Sequence, residues 1–191
     1  MFYFSVVCTI KYFFRVRNDD FKILEVRKIS KFPENNLKIY QRAIIIIRHP
    51  LDAFISAFNH QMKGKTEYPD LKIYEEINFS KQFLEVGLPD WIQFYDTILR
   101  DFNQNLYLVQ YDKLKTNLLE EMRSILSFLG FDLNREIESC LRSDFNGKFK
   151  RKNRPQEELY EIYGNFTNKQ FQEFDKIYEH YLLLFQNKHC T

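Results

Sequence analysis

The most ordered hydrophobic signal in the chain is the run Ala43-Ile44-Ile45-Ile46-Ile47. Apolar residues in unbroken succession, most of them β-branched, have the length and composition of a strand covered on both faces. The run stops at Arg48, and Pro50 then suits the first turn of a helix, where its missing N–H costs nothing. Leu51, Phe54, Ile55, Phe58 and Met62 follow at helical spacing and predict a helix packed back on the sheet. Upstream, residues 21–29 alternate as a strand does, and the polar stretch 30–41 reads as a connection. Downstream, residues 62–80 are polar, carry Gly64, Pro69 and Asp70, and predict a long loop with little core.

Trp91, Phe94, Tyr95, Ile98 and Leu99 mark a second amphipathic helix, beginning after Pro89-Asp90. Residues 105–110 (NLYLVQ) form a second short apolar strand ending at Tyr111 and Asp112. Leu118, Leu119, Met122, Ile125, Leu126 and Leu129 predict a further helix, with Asn117 and Glu120 at capping-box spacing and Gly130 as its stop. A last helix starts at Thr167, with Gln170 three positions on. It carries Phe171, Phe174, Ile177, Tyr178, Tyr181, Leu182 and Phe185 on one face. Strand, connection, strand, helix is the opening of a parallel α/β fold. Arg48 then stands at the carboxyl end of a buried strand beside a helix N-terminus, the crevice where such sheets bind anions. The competing role is a strand cap or a surface ion pair.

Composition narrows the choice. A chain of 191 residues suits one domain with a substantial core, and 45% hydrophobic with 28% charged residues is ordinary. No GxxxxGK[ST] or GxGxxG occurs, which excludes a Walker A loop and a Rossmann fingerprint and disfavours a P-loop kinase. The net charge of +2 is unremarkable, but its distribution is not. Residues 142–154 hold Arg142, Lys148, Lys150, Arg151, Lys152 and Arg154 against the single acid Asp144. Such a window holds a phosphate or polyanion, or is simply a solvated basic loop. A nucleic-acid module is disfavoured, because the aromatics lie at core spacing rather than among these cations.

Cys8, Cys140 and Cys190 form no CxxC, and His49, His60, His180 and His189 do not cluster with them, so no metal is expected. The sequons Asn78-Phe79-Ser80 and Asn165-Phe166-Thr167 permit glycosylation and a secretory location. The first fourteen residues are apolar but broken by Lys11, too short to span a bilayer. They read as an ordinary buried segment, with a degraded signal-anchor, an edge strand or a misplaced start as alternatives. Residues 1–20 are therefore set apart from the domain expected over 21–191.

Taken in order, these residues resemble the sulfotransferases that use 3′-phosphoadenosine 5′-phosphosulfate (PAPS). Arg48-His49-Pro50…Ser56 is similar to the family's R-N-P-x-x-x-x-x-S element, with His49 in place of Asn. Leu108-Val-Gln-Tyr111-Asp112-Lys-Leu114, then Glu121 to Gly130, resembles its Y-E-D-L strand and the L-x-x-I-x-x-F-L-G helix. Arg142-Ser-Asp-Phe-Asn-Gly147-Lys-Phe149-Lys150 is more loosely similar to its closing R-K-G-x-x-G-D-W-K segment, without the Lys-Gly pair. The ending Gly-x-Phe-Lys-Arg151 looks closest to the WSC-domain sulfotransferase-like branch.

The resemblance implies a P-loop-NTPase-like, three-layer α/β fold: a central, mainly parallel sheet flanked by helices, incomplete at the N-terminus. It implies PAPS as cofactor, held by Arg48, Ser56, Arg142, Gly147, Lys150 and Arg151, and a hydroxyl acceptor such as a glycan. It further implies a Golgi setting, with the cytoplasm as alternative, and membrane attachment only through a missing or degraded N-terminal anchor. Two parts depart from the pattern. Nothing before residue 21 resembles the loop that cradles the 5′-phosphosulfate. In the family's Lys-Thr-His segment, Lys28 matches and is the catalytic candidate, but Ser30 stands where the basic His would be, and a serine alone is a poor base. The expectation is sulfuryl transfer, or a catalytically inactive relative that keeps a nucleotide-phosphate or glycan site.

Overall fold

The computed structural model describes residues 11–16, 24–28, 42–63, 67–102, 105–143 and 154–188. They belong to two compact units, and the chain passes from one to the other between Arg48 and His49, between Phe94 and Tyr95, between residues 143 and 154, and between Tyr181 and Leu182.

The sheet lies in the unit that contains Arg48. Its strands are β1 (Lys11–Val16), β2 (Leu24–Lys28), β3 (Arg42–Ile47) and β4 (Asn105–Gln110), in the order β2-β1-β3-β4. β3 is the isoleucine run, and Ala43, Ile45 and Ile47 are inaccessible on one side while Ile44 and Ile46 are nearly so on the other. The second set packs with Val109 of β4 and with Ile125 and Leu129 of a helix, α6 (Leu118–Leu129). β3 and β4 run parallel, as expected, with Ile44 opposite Tyr107 and Ile47 opposite Gln110.

The sheet is nonetheless mixed rather than mainly parallel. β1 pairs antiparallel with both β2 and β3. Only residues 17–23 separate β1 from β2, too few for the crossover that a parallel pairing needs. Segment 1–20 therefore contributes an inner strand of this sheet.

In the same unit, α5 (Tyr111–Thr116) follows β4, and α7 (Arg135–Ser143) follows α6. Gly130 ends α6 at φ 82°, with its N–H bonded to Ser127 O and that of Phe131 to Leu126 O, the paired bonds of a left-handed glycine stop. The capping box expected at the other end does not form: Asn117 makes no side-chain cap bond.

The other unit is helical. It holds α1 (Pro50–Lys63), α2 (Leu71–Glu76), α3 (Phe79–Gln82), a π-helical turn (Phe83–Gly87), the start of α4 (Leu88–Asp101), α8 (Gln156–Tyr163) and most of α9 (Asn168–Lys188). Leu51, Phe54, Ile55 and Phe58 of α1 join an aromatic cluster with Tyr74, Phe79, Phe83, Phe166 and Phe174, whereas Met62 is exposed. The ring pairs Phe83–Phe166 and Phe83–Phe174 are edge-to-face, at 5.6 and 5.0 Å. The long loop expected over 62–80 is thus corrected. Tyr74 and Phe79 are buried there, and two short helices place them. The last helix begins where expected, and a capping box closes its start, Thr167 N–H donating to Gln170 Oε1 (2.8 Å) and Gln170 N–H to Thr167 Oγ1 (3.3 Å).

Phe54 packs so closely on the π turn that a Cβ at Gly87 would meet its ring at 2.5 Å. Gly87→Ala is therefore expected to destabilise the protein by about 2 kcal/mol through overpacking. Chemical denaturation checks this, and an unchanged midpoint would show that the ring moves aside freely. In the sheet-bearing unit, Lys188 donates to the carbonyls of Leu99 and Phe102, closing the end of α4. Burial holds its ammonium below the usual lysine range, with Asp101 opposing. Lys188→Met leaves both carbonyls without that donor and is expected to cost about 1 kcal/mol, read as a lower thermal midpoint.

Candidate nucleotide-phosphate site

Parallel register sets the geometry around Arg48. Ile47 lies opposite Gln110, so the residues that follow, Arg48 and Tyr111, emerge together at the carboxyl end of the strand pair. The Arg48 guanidinium sits over the Tyr111 ring at 4.5 Å, and Lys115 approaches the same ring at 5.9 Å. A guanidinium held over an aromatic face gains a cation–π contact. The motif had placed Arg48 and Tyr111 at strand ends; the stacking between them becomes readable only with the register.

On the other side of the unit boundary, the His49 carbonyl accepts the Ala53 N–H at 2.9 Å and so opens α1. Ser56 is half-buried in the second turn. Asp52, in the first turn, accepts a hydrogen bond from Tyr163 at 2.8 Å. The His49 ring meets Asp175 of α9, Nε2 to Oδ1 3.3 Å, and stands edge-on to Tyr178. The Arg48–Ser56 spacing thus spans the boundary between the two units.

Arg142 lies in the last turn of α7, exposed, with its guanidinium on Glu138 at 2.7 and 3.1 Å. That hydrogen bond and charge hold the Glu138 carboxyl below its ordinary range. Lys28 closes β2. Gly147, Lys150 and Arg151, together with Ser30, lie outside the described residues.

The basic window contains one surprise. Arg154 is buried, with 2% of its side chain accessible. It donates to Glu158 (2.9 Å) and to the Pro69 carbonyl (2.8 Å), and its guanidinium lies over the rings of Tyr68 (4.7 Å) and Tyr74 (5.3 Å). Tyr74 in turn donates to the buried Asn59. Arg154 is a structural cation rather than a solvated one.

A cavity of about 250 Å³ beside β4 is lined by Tyr107, Leu108, Gln110, Lys113, Glu121 and Gln186, and includes none of the predicted site residues. Among the described residues, no group of acidic, His or Cys side chains is placed to hold a metal ion. Nor is any described helix long and apolar enough to cross a membrane.

A parallel strand pair with an arginine at its carboxyl end is a feature of open α/β sheets. The model of the sulfotransferase domain family matches residues 22–186, and the chain belongs to that family. The family has a P-loop-like α/β fold and generally uses PAPS as its sulfate donor. The chain is 32% identical over 117 residues to a WSCD family member of Drosophila melanogaster, covering 60% of this chain and 37% of that protein. A WSCD family member of Aedes aegypti matches with the same identity and coverage. Sulfotransferase 6B1 of Mus musculus is 29% identical over 113 residues, 56% of this chain and 35% of its own length. The chain thus spans a little over a third of the curated relatives it matches. No solved structure matches it.

Proposed function

We propose that this chain binds PAPS and serves sulfuryl transfer to a hydroxyl acceptor, a carbohydrate in the first instance, in a Golgi setting. The observation that carries the reading is Arg48, stacked on Tyr111 at the carboxyl end of β3 in a chain of the sulfotransferase domain family. The donor set suits a phosphate. Arg48 offers paired charge-assisted N–H bonds to two oxygens of the 3′-phosphate, and Ser56 offers a hydroxyl for a third. Arg142, Gly147, Lys150 and Arg151 add to the same anion in this reading, Arg142 by exchanging Glu138 for it. Lys28 is assigned to the transferred group.

PAPS would supply the sulfuryl group and leave as adenosine 3′,5′-bisphosphate (PAP) when the acceptor oxygen bonds to sulfur. The chain's part is to fix the nucleotide and to place a cation where charge develops. Calorimetric titration with PAP tests the reading: binding is expected, and none to the folded protein would remove it. A second reading, a non-catalytic protein that keeps the site, is favoured by Ser30 standing in the place of the family's base. Binding of PAP without transfer from labelled PAPS would select it.

A further inference from the structure

We propose that the cavity beside β4 is a binding site for a single uncharged sugar ring, separate from the anion site at Arg48. The choice of a carbohydrate rests on the reading above, and the site serves its catalytic and its non-catalytic form alike. All six lining residues, Tyr107, Leu108, Gln110, Lys113, Glu121 and Gln186, belong to the sheet-bearing unit. Tyr107 projects from one face of β4, and Leu108 and Gln110 from the other. The inner edge of the strand is bonded to β3, so a cavity that touches both faces runs round the outer edge. There, among the described residues, alternate backbone N–H and C=O groups have no strand partner.

Size and charge narrow the ligand. At about 250 Å³ the cavity falls below the range that takes drug-sized molecules, which suits one ring rather than a nucleotide. Its lining holds one cation, Lys113, and one carboxylate, Glu121. The two charges cancel, so the cavity does not select a phosphate. A hydroxyl both donates and accepts, and a sugar can give a hydrogen to Glu121 while taking one from Lys113. The amides of Gln110 and Gln186 likewise do both and match adjacent hydroxyls. Tyr107 supplies the apolar element. Its ring leans on Phe128 at 5.3 Å and 34°, and Arg42 steadies that support by donating to the Phe128 carbonyl. A ring held in this way offers an apolar body to the C–H face of a pyranose. An amino-acid zwitterion also spans a cation and a carboxylate, but it leaves the two amides and the Tyr107 ring unmatched.

The test is nuclear magnetic resonance on the isotopically labelled 191-residue chain, titrated with the methyl glycosides of galactose, glucose, mannose and N-acetylglucosamine. At least one is expected to bind, weakly for so small a ligand, and to shift the resonances of Leu108, Gln110 and Gln186. Glu121→Ala should weaken that binding roughly tenfold, and Gln186→Ala by less. The spectrum itself shows whether each variant is folded, and Gln186 is exposed. No shift with any of the four glycosides would overturn the proposal, as would undiminished binding by both folded variants. Glycine and PAP are titrated into the same samples. Shifts at the cavity residues with glycine and not with the glycosides would make it a zwitterion site, and shifts there with PAP would make it part of the nucleotide site; either result overturns the proposal. Glycosides that fail while PAP binds elsewhere sink this inference alone, whereas glycosides that bind while PAP fails remove the PAPS reading and leave the sugar site standing.

Discussion

Arg48→Ala is expected to weaken PAP binding by on the order of a hundredfold or more, because a bidentate guanidinium–phosphate contact is the strongest single interaction the proposed site offers. The same substitution removes the stacking on Tyr111, which at a partly exposed position contributes about 0.5–1 kcal/mol to stability. The two effects are separable. Calorimetry reads the first and thermal unfolding the second, and Arg48→Lys distinguishes charge from geometry. A lysine keeps the positive charge but neither the fork nor the flat face, so it should recover only a minor part of the affinity. If Arg48→Ala lowers the unfolding midpoint slightly and leaves PAP binding intact, Arg48 is a strand cap and the phosphate site lies elsewhere.

Arg154→Ala should be the most destabilising substitution in the basic window, at about 3 kcal/mol. Its removal takes a cation from between two tyrosine rings and opens a cavity beneath them. It also strips the Pro69 carbonyl and the Tyr74 hydroxyl of a buried donor. Glu158, already partly exposed, turns to water at little cost. Lysine does not rescue the site, since a point charge on a flexible stem cannot lie flat on Tyr68 and reach both acceptors. Arg142→Ala is the matched control: its ion pair with Glu138 is exposed, and its loss should leave stability unchanged. Denaturant midpoints of the two variants decide the point, and equal midpoints would refute the structural role of Arg154.

The contrast between these two arginines shows what the sequence made legible and what it did not. Several signals that depend on near neighbours came through, namely the isoleucine strand, the proline that opens α1, the Gly130 stop and the start of α9 at Thr167, although the equally local Asn117–Glu120 box did not form. Each is decided by a few adjacent residues and the period of a single element. Residues 62–80 were misread because polar residues outnumber Tyr74 and Phe79 there, while two well-placed aromatics are enough to bury a short helix. Arg154 was read with its cationic neighbours as part of a phosphate-holding or solvated basic window, yet its partners Pro69 and Tyr74 stand 85 and 80 positions away.

The candidate site divides in the same manner. Arg48 and Ser56 are carried by a local motif. Tyr111 under Arg48 needs the register of β3 against β4, and Asp175 behind His49 needs the packing of α9 on α1. The mixed sheet was equally out of reach, because strand direction is set by which segments pair, not by the composition of any one of them.

The π turn at Phe83–Gly87 has a consequence for how this chain tolerates change in length. A π turn takes up one residue more than an α turn does, so the run from Phe79 to Asp101 carries a built-in phase offset. Deleting a single residue from the turn would restore regular α-helical bonding and, by local criteria, improve the helix. Because the wider turn already absorbs the extra residue, Trp91, Phe94, Tyr95 and Ile98 would stay close to the bearing on which each is now buried. The same deletion made in α4 beyond the turn would rotate every later side chain by about 100°, so a lost residue is tolerated in Phe83–Gly87 far better than after it.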